Sequence, residues 1–162
     1  MKTVCCLDFD DCIFPSDINY FGKTDDSLTL LEINLKRLEL IIKQYNCKVF
    51  ITSSWCSIMT FSNGVLTLND RGLSAETVSK GYYALETKAF NLIKLYLEKY
   101  IIGLSSGNRN DDIEMLKEDY NVIILDDMDL KEHESDNCIY CYVHGFIDGN
   151  IGYKIHNFLK GT

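Results

Sequence analysis

Five short apolar runs recur along this 162-residue chain, each too short for a helix and lacking an apolar–polar alternation. They are Thr3 to Phe9 (TVCCLDF), Lys48 to Thr52 (KVFIT), Ile101 to Ser105, Asn121 to Leu125 (NVIIL) and Ile139 to Val143. Runs apolar at successive positions are buried on both faces, which is the habit of strands in a parallel sheet. Segments with helical periodicity lie between most of them. Strands alternating with helices imply βαβ units with right-handed crossovers. The expected fold is α/β: a three-layer, Rossmann-like arrangement with a mostly parallel five-stranded sheet and helices on both faces.

From Ser27 to Tyr45, Leu28, Leu31, Leu35, Leu38, Ile42 and Tyr45 recur at helical spacing, with Asp26 and Ser27 as candidate N-caps. A second helix is expected from about Glu86 to Lys99, burying Ala89, Leu92, Ile93 and Tyr96. A short third helix, capped by Asn110, runs to Tyr120, with Asp111, Asp112 and Glu114 favouring its dipole. The last spans Ile151 to Leu159, and Gly161 is placed to end it. Residues 11–26 read as a short polar flap. Residues 55–84 read as an irregular insert with turn signals at Asn63-Gly64 and Arg71-Gly72. Neither is long enough for a cap domain, so the whole chain, 1–162, reads as one domain.

Charge is concentrated. Ser106 to Asp136 holds 11 acidic and 3 basic residues, while the remainder holds 13 of each, so this window carries the whole formal charge of −8. An extended basic nucleic-acid surface, which needs clustered Lys and Arg, is therefore not expected. No segment approaches the roughly 18 consecutive apolar residues of a membrane span. Seven cysteines and a start that runs straight into a strand point to free thiols in a reducing cytoplasm. Cys138 and Cys141 form a lone CxxC, expected to pack on opposite faces of a strand rather than to bind zinc. His133, His144 and His156 lack ligand spacing and are assigned no chemistry.

In parallel sheets of this kind, ligands bind beyond the carboxyl ends of the strands. Strand one ends in Asp8-Phe9-Asp10-Asp11, strand two in Thr52-Ser53-Ser54, and the fourth in Asp126-Asp127; the third leads to a loop with Arg109. Carboxylates gathered this closely need a cation, and all-oxygen ligands suit Mg2+. A metal beside a hydroxyl and a basic side chain forms a phosphoryl-transfer site. Asp8 is then a candidate nucleophile and Asp10 a candidate proton donor and acceptor.

Leu7-Asp8-Phe9-Asp10, Ile51-Thr52-Ser53-Ser54-Trp55 and Ile124-Leu125-Asp126-Asp127, in that order and at strand ends, resemble motifs I, II and IV of the haloacid dehalogenase (HAD) superfamily. The Thr-Ser-Ser-Trp segment, the Gly107-Asn108-Arg109 loop and the Asp112-Ile113-Glu114 helix narrow the likeness to small HAD-like domains of "Swiss Army Knife" RNA-repair proteins and related viral or phage proteins. The resemblance implies a capless phosphatase with Asp8 as nucleophile and Asp10 as general acid/base. It implies Mg2+ held by the Asp8 carboxylate, the Asp10 backbone carbonyl and Asp126, with Asp127 close by. Phosphate would be bound by Thr52 or Ser53. The third motif normally supplies a Lys; here Arg109 is the preferred equivalent and Lys88 the alternative. A phosphorylated small molecule or a nucleic-acid terminus is the implied substrate.

Trp55 is read as packing rather than as a base-stacking platform. A phospho-receiver domain is set aside, because no Asp ends the second or third strand. A HAD-fold scaffold without catalysis remains the rival, supported by the missing Lys. The acids from Asp129 to Asp136 read as a solvated rim that repels long polyanions.

Overall fold

The computed structural model describes residues 1–17, 22–69 and 82–160. The apolar runs form five parallel strands: β1 (Lys2–Leu7), β2 (Cys47–Ile51), β5 (Ile101–Leu104), β6 (Tyr120–Asp126) and β7 (Cys138–Tyr142). Their spatial order is β5-β2-β1-β6-β7, giving the α/β, Rossmann-like sheet expected. The chain steps outward from β1 through β2 to β5, then returns to the other side of β1 with β6. The β1–β6 junction is therefore the topological switch point, where loops diverge and leave a crevice. In register, Leu7 stands opposite both Ile51 and Leu125. The residues that follow these three strands consequently meet at one edge.

Four α-helices lie among the described residues: α1 (Asp25–Tyr45), α2 (Tyr82–Leu97), α3 (Arg109–Leu116) and α4 (Gly149–Lys160). They cover the sheet unequally. Leu31, Leu35 and Leu38 of α1, Ala89 and Ile93 of α2 and Ile155 of α4 pack with Cys5, Leu7, Val49 and Ile123 on one face. Val4, Cys6, Val122 and Ile124, with Tyr140 of β7 beside them, point to the other face, where Ile113 of α3 and Leu130 cover them. Cys138 packs with this second group and Cys141 with the first, so the CxxC pair does straddle the strand. All seven cysteines are free thiols. No helix among the described residues is long and apolar enough to cross a membrane.

Three local expectations are corrected. The cap of α1 is Thr24, and Ser27, one turn inside, accepts a hydrogen bond from the Thr24 N–H at 3.0 Å. The cap of α3 is Asn108, not Asn110: its side chain accepts from the Asp111 N–H, and the helix stops at Leu116. Asn110 instead turns its side-chain oxygen to His133 Nε2 at 2.8 Å. The described part of the insert is not irregular. Met59–Ser62 (β3) and Val65–Leu68 (β4) form an antiparallel hairpin. Its turn residues Asn63 and Gly64 both have positive φ, the conformation that favours an Asn-Gly hairpin turn. The Arg71-Gly72 turn, Gly161 and part of the flap fall outside the described residues.

Candidate active site

The strand ends stay hydrogen-bonded past the last ladder residue. Asp8 N–H donates to Leu125 O at 3.1 Å, Thr52 N–H to Leu7 O at 2.9 Å and Val143 N–H to Asp126 O at 3.0 Å. The backbone therefore carries Asp8, Thr52 and Asp126 to one level. Alternation along the strands turns Asp8 and Asp126 to the thinly covered face, where α3 lies.

Asp8, Asp126 and Asp127 each bring a carboxylate oxygen within 4.8 Å of the others. Asp8 is 5% exposed and Asp126 fully buried. Burial first, then the Asp126 charge, pushes the Asp8 carboxyl up to about 8; Arg109 opposes the rise. Burial also raises Asp126, against the pull of the Met128 N–H and Arg109. Without a further cation, this cluster holds more negative charge than its surroundings balance. Cys12 lies beneath it, its thiol donating to Leu125 O. Burial and the nearby carboxylates push that thiol well up, so it stays protonated.

Arg109, the first residue of α3, crosses the top of β1. Its Nη1 lies 2.8 Å from Asp126 Oδ2, its Nη2 3.7 Å from Asp8 Oδ1, and its Nε donates to Thr52 O at 3.2 Å. The preceding loop aims it. Gly107 has a φ of 115°, open to glycine and strained for other residues. Buried Asp112 accepts from Ser105 Oγ at 2.5 Å and from the Ser106 N–H at 3.2 Å. Lys88 is exposed on α2 and is not among the residues lining the cavity described next.

A cavity of about 320 Å³ opens beside Arg109, lined by Thr52, Ser53, Ser54, Ser105 and Ser106 among others. The two candidate hydroxyls differ. Ser53 Oγ accepts from the Trp55 N–H at 3.2 Å, capping the short turn Ser54–Ser57. Thr52 Oγ1 is buried with no hydrogen-bond partner. An orphaned buried hydroxyl is costly unless something else satisfies it.

Asp10 lies outside the carboxylate cluster. The chain turns sharply after Phe9, with Asp11 at a φ of 59°, and carries the Asp10 side chain toward Trp55 and Lys23. Sequence reading missed both partners of Asp10, as well as the brace that Asp112 provides for the serine loop. Trp55 packs as expected, but it also donates a hydrogen bond. Its distance of 45 residues from Asp10 leaves no local signal for that contact. His133, assigned no chemistry, is a buried brace between α3 and the loop after β6: its Nδ1 lies 2.7 Å from Glu114 Oε2.

No family model matches the chain, and no curated protein sequence matches it.

Proposed function

We propose that the chain is a Mg2+-dependent phosphohydrolase that works through an aspartyl-phosphate on Asp8, as its resemblance to the HAD superfamily implies. The observation that carries this reading is the buried cluster of Asp8, Asp126 and Asp127, bridged by Arg109 to a cavity lined by Thr52, whose buried hydroxyl has no partner. The residues fit a hard divalent ion: three carboxylates and one guanidinium leave negative charge that such an ion would neutralise. Asp8, Asp126 and Asp127 would hold it, with the Asp10 carbonyl as the implied backbone ligand. Mg2+ supplies charge neutralisation between the anionic phosphoryl group and the anionic nucleophile.

The steps belong to the side chains. Thr52 Oγ1 donates to a phosphoryl oxygen, and Arg109 offsets charge on the others. An Asp8 oxygen attacks phosphorus, the bond to the leaving oxygen breaks, and Asp10 delivers a proton to that oxygen. Water then attacks the aspartyl-phosphate, Asp10 takes its proton, and phosphate leaves with Asp8 restored as a carboxylate. The acids from Asp129 to Asp136 repel long polyanions, which favours a small phosphorylated molecule over a nucleic-acid terminus as substrate.

Phosphate release from a panel of phosphomonoesters with Mg2+, for wild type and Asp8→Asn, tests the reading. Release that requires both Mg2+ and Asp8 supports it; no release, or equal release by Asp8→Asn, defeats it. One observation favours the scaffold reading instead. Arg109 already occupies an oxygen of Asp126 at 2.8 Å, so the guanidinium could replace a metal and leave a binding protein without turnover.

A further inference from the structure

We propose that Trp55 and Lys23 are positioning residues for Asp10, holding its carboxylate on the line of proton transfer; this rests on the phosphohydrolase reading. Trp55 is 5% exposed and meets Phe9 and Phe14 edge-on, with ring centroids 5.6 and 6.0 Å away. Phenylalanine would satisfy that packing. What only tryptophan adds is a single N–H donor, and a buried donor must find an acceptor. Trp55 Nε1 donates to Asp10 Oδ2 at 3.0 Å.

Lys23 approaches the other oxygen. Its Nζ lies 3.5 Å from Asp10 Oδ1 and 3.7 Å from Asp11 Oδ1, and it also donates to Phe14 O. The ammonium sits over the Phe14 ring, 4.6 Å from the centroid, on a side chain only 10% exposed. The two partners come from separate elements, one following β2 and one preceding α1. Between them, the turn that carries Asp10 is itself tied down. Asp11 N–H donates to Phe14 O, and Cys12 and Phe14 N–H both donate to Phe9 O, at 2.9 to 3.1 Å.

The two oxygens of Asp10 are thereby distinguished. Oδ2 is taken by the short indole bond and acts as a pivot, whereas Oδ1 carries, among the described residues, the longer ion-pair contact. Oδ1 is the oxygen left to trade a proton. A carboxylate that must first give and then take a proton along one line loses rate when its aim is lost.

Trp55→Phe keeps the ring and removes the donor, and two ester classes read the result. With an alkyl phosphate, whose leaving oxygen needs a proton, kcat should fall on the order of ten- to a hundredfold. With 4-nitrophenyl phosphate, whose leaving group needs little help, kcat should fall far less, and KM for both should stay within about twofold. Adding Asp10→Asn to Trp55→Phe should cost much less than Asp10→Asn costs alone, because the two act as a unit. Equal losses on both esters, additive losses, or no loss would overturn the positioning role. A wild-type protein that releases no phosphate overturns the underlying reading and the role with it.

Folding of the variant need not decide the matter. Trp55 is the chain's one tryptophan, so its indole N–H gives a single NMR signal. That signal should move upfield in Asp10→Ala, and an unmoved signal would overturn the contact on which the proposal stands.

Discussion

Asp8 and Asp10 stand two residues apart, yet the fold gives them opposite surroundings. Asp8 remains on the sheet edge, buried against two further carboxylates, and its nearest balancing charge is Arg109 at 3.7 Å. Asp10 lies past the turn, half-buried, with an indole N–H on one oxygen and an ammonium near the other. One carboxylate is crowded by its own charge and the other is surrounded by donors. Spacing in the sequence sets neither condition; the neighbours do. On the proposed phosphohydrolase reading, a nucleophile that needs a cation and a proton carrier that needs a fixed aim are separated in this way over a single turn of chain.

The sharpest way to break that contrast is to neutralise each carboxylate in turn. Asp8→Asn removes the group proposed to bond to phosphorus and should lower phosphate release by about a thousandfold or more, measured in single-turnover and steady-state assays with Mg2+. Asp10→Asn should cost on the order of a hundredfold, concentrated in kcat for alkyl esters. If the two variants lose activity equally on good and poor leaving groups, the division of labour is wrong.

A smaller effect is expected at Arg109. Arg109→Lys keeps one charge but cannot span Asp8, Asp126 and the Thr52 carbonyl together, so KM should rise roughly tenfold while Mg2+-dependent turnover survives. A gain in turnover with that variant would favour the view that Arg109 blocks the metal.

The contrast also has an effect on stability. The Asp8 carboxyl is raised in the fold to about 8, above its unfolded value near 4. Folding therefore takes up a proton between these two values. Stability from this group is complete below about pH 4 and is lost as pH rises through about 8. In chelator, the thermal midpoint should fall by about 10 degrees between pH 5 and 8. Mg2+ should restore it most at the alkaline end, and Asp8→Asn should flatten the slope. A midpoint that rises with pH in chelator would contradict the burial argument.

Much of the fold was legible in the sequence, because short unbroken apolar runs fit a parallel sheet covered on both faces, and each of the five became a strand of it, three central and two at the edges. The strand-end carboxylates were legible for the same reason, since a polar residue after such a run must lie at the sheet edge. Boundaries moved where competing caps existed. Asn108 and Asn110 are both good caps, and His133, distant in sequence, draws the second one away. The hairpin was overlooked although its Asn63-Gly64 turn was noted, because four-residue strands such as Met59–Ser62 give too little alternation to read. Trp55 and Lys23 were out of reach, since their contacts to Asp10 depend on how the turn after Phe9 folds. Nothing local in Lys23 or Trp55 records that turn.

The switch-point topology has a consequence for how the protein is made. β1 and β6 are more than a hundred residues apart in the chain, and before β6 is made the main sheet can pair only β1, β2 and β5. Until β6 emerges from the ribosome, β1 is an open edge, the kind of surface that invites pairing with other chains. During that interval Asp8 has no facing aspartate and keeps a solvated charge beside the open edge. Only the arrival of β6 brings Asp126 and Asp127 against it, so the carboxylate cluster and the closed edge of β1 form in the same step.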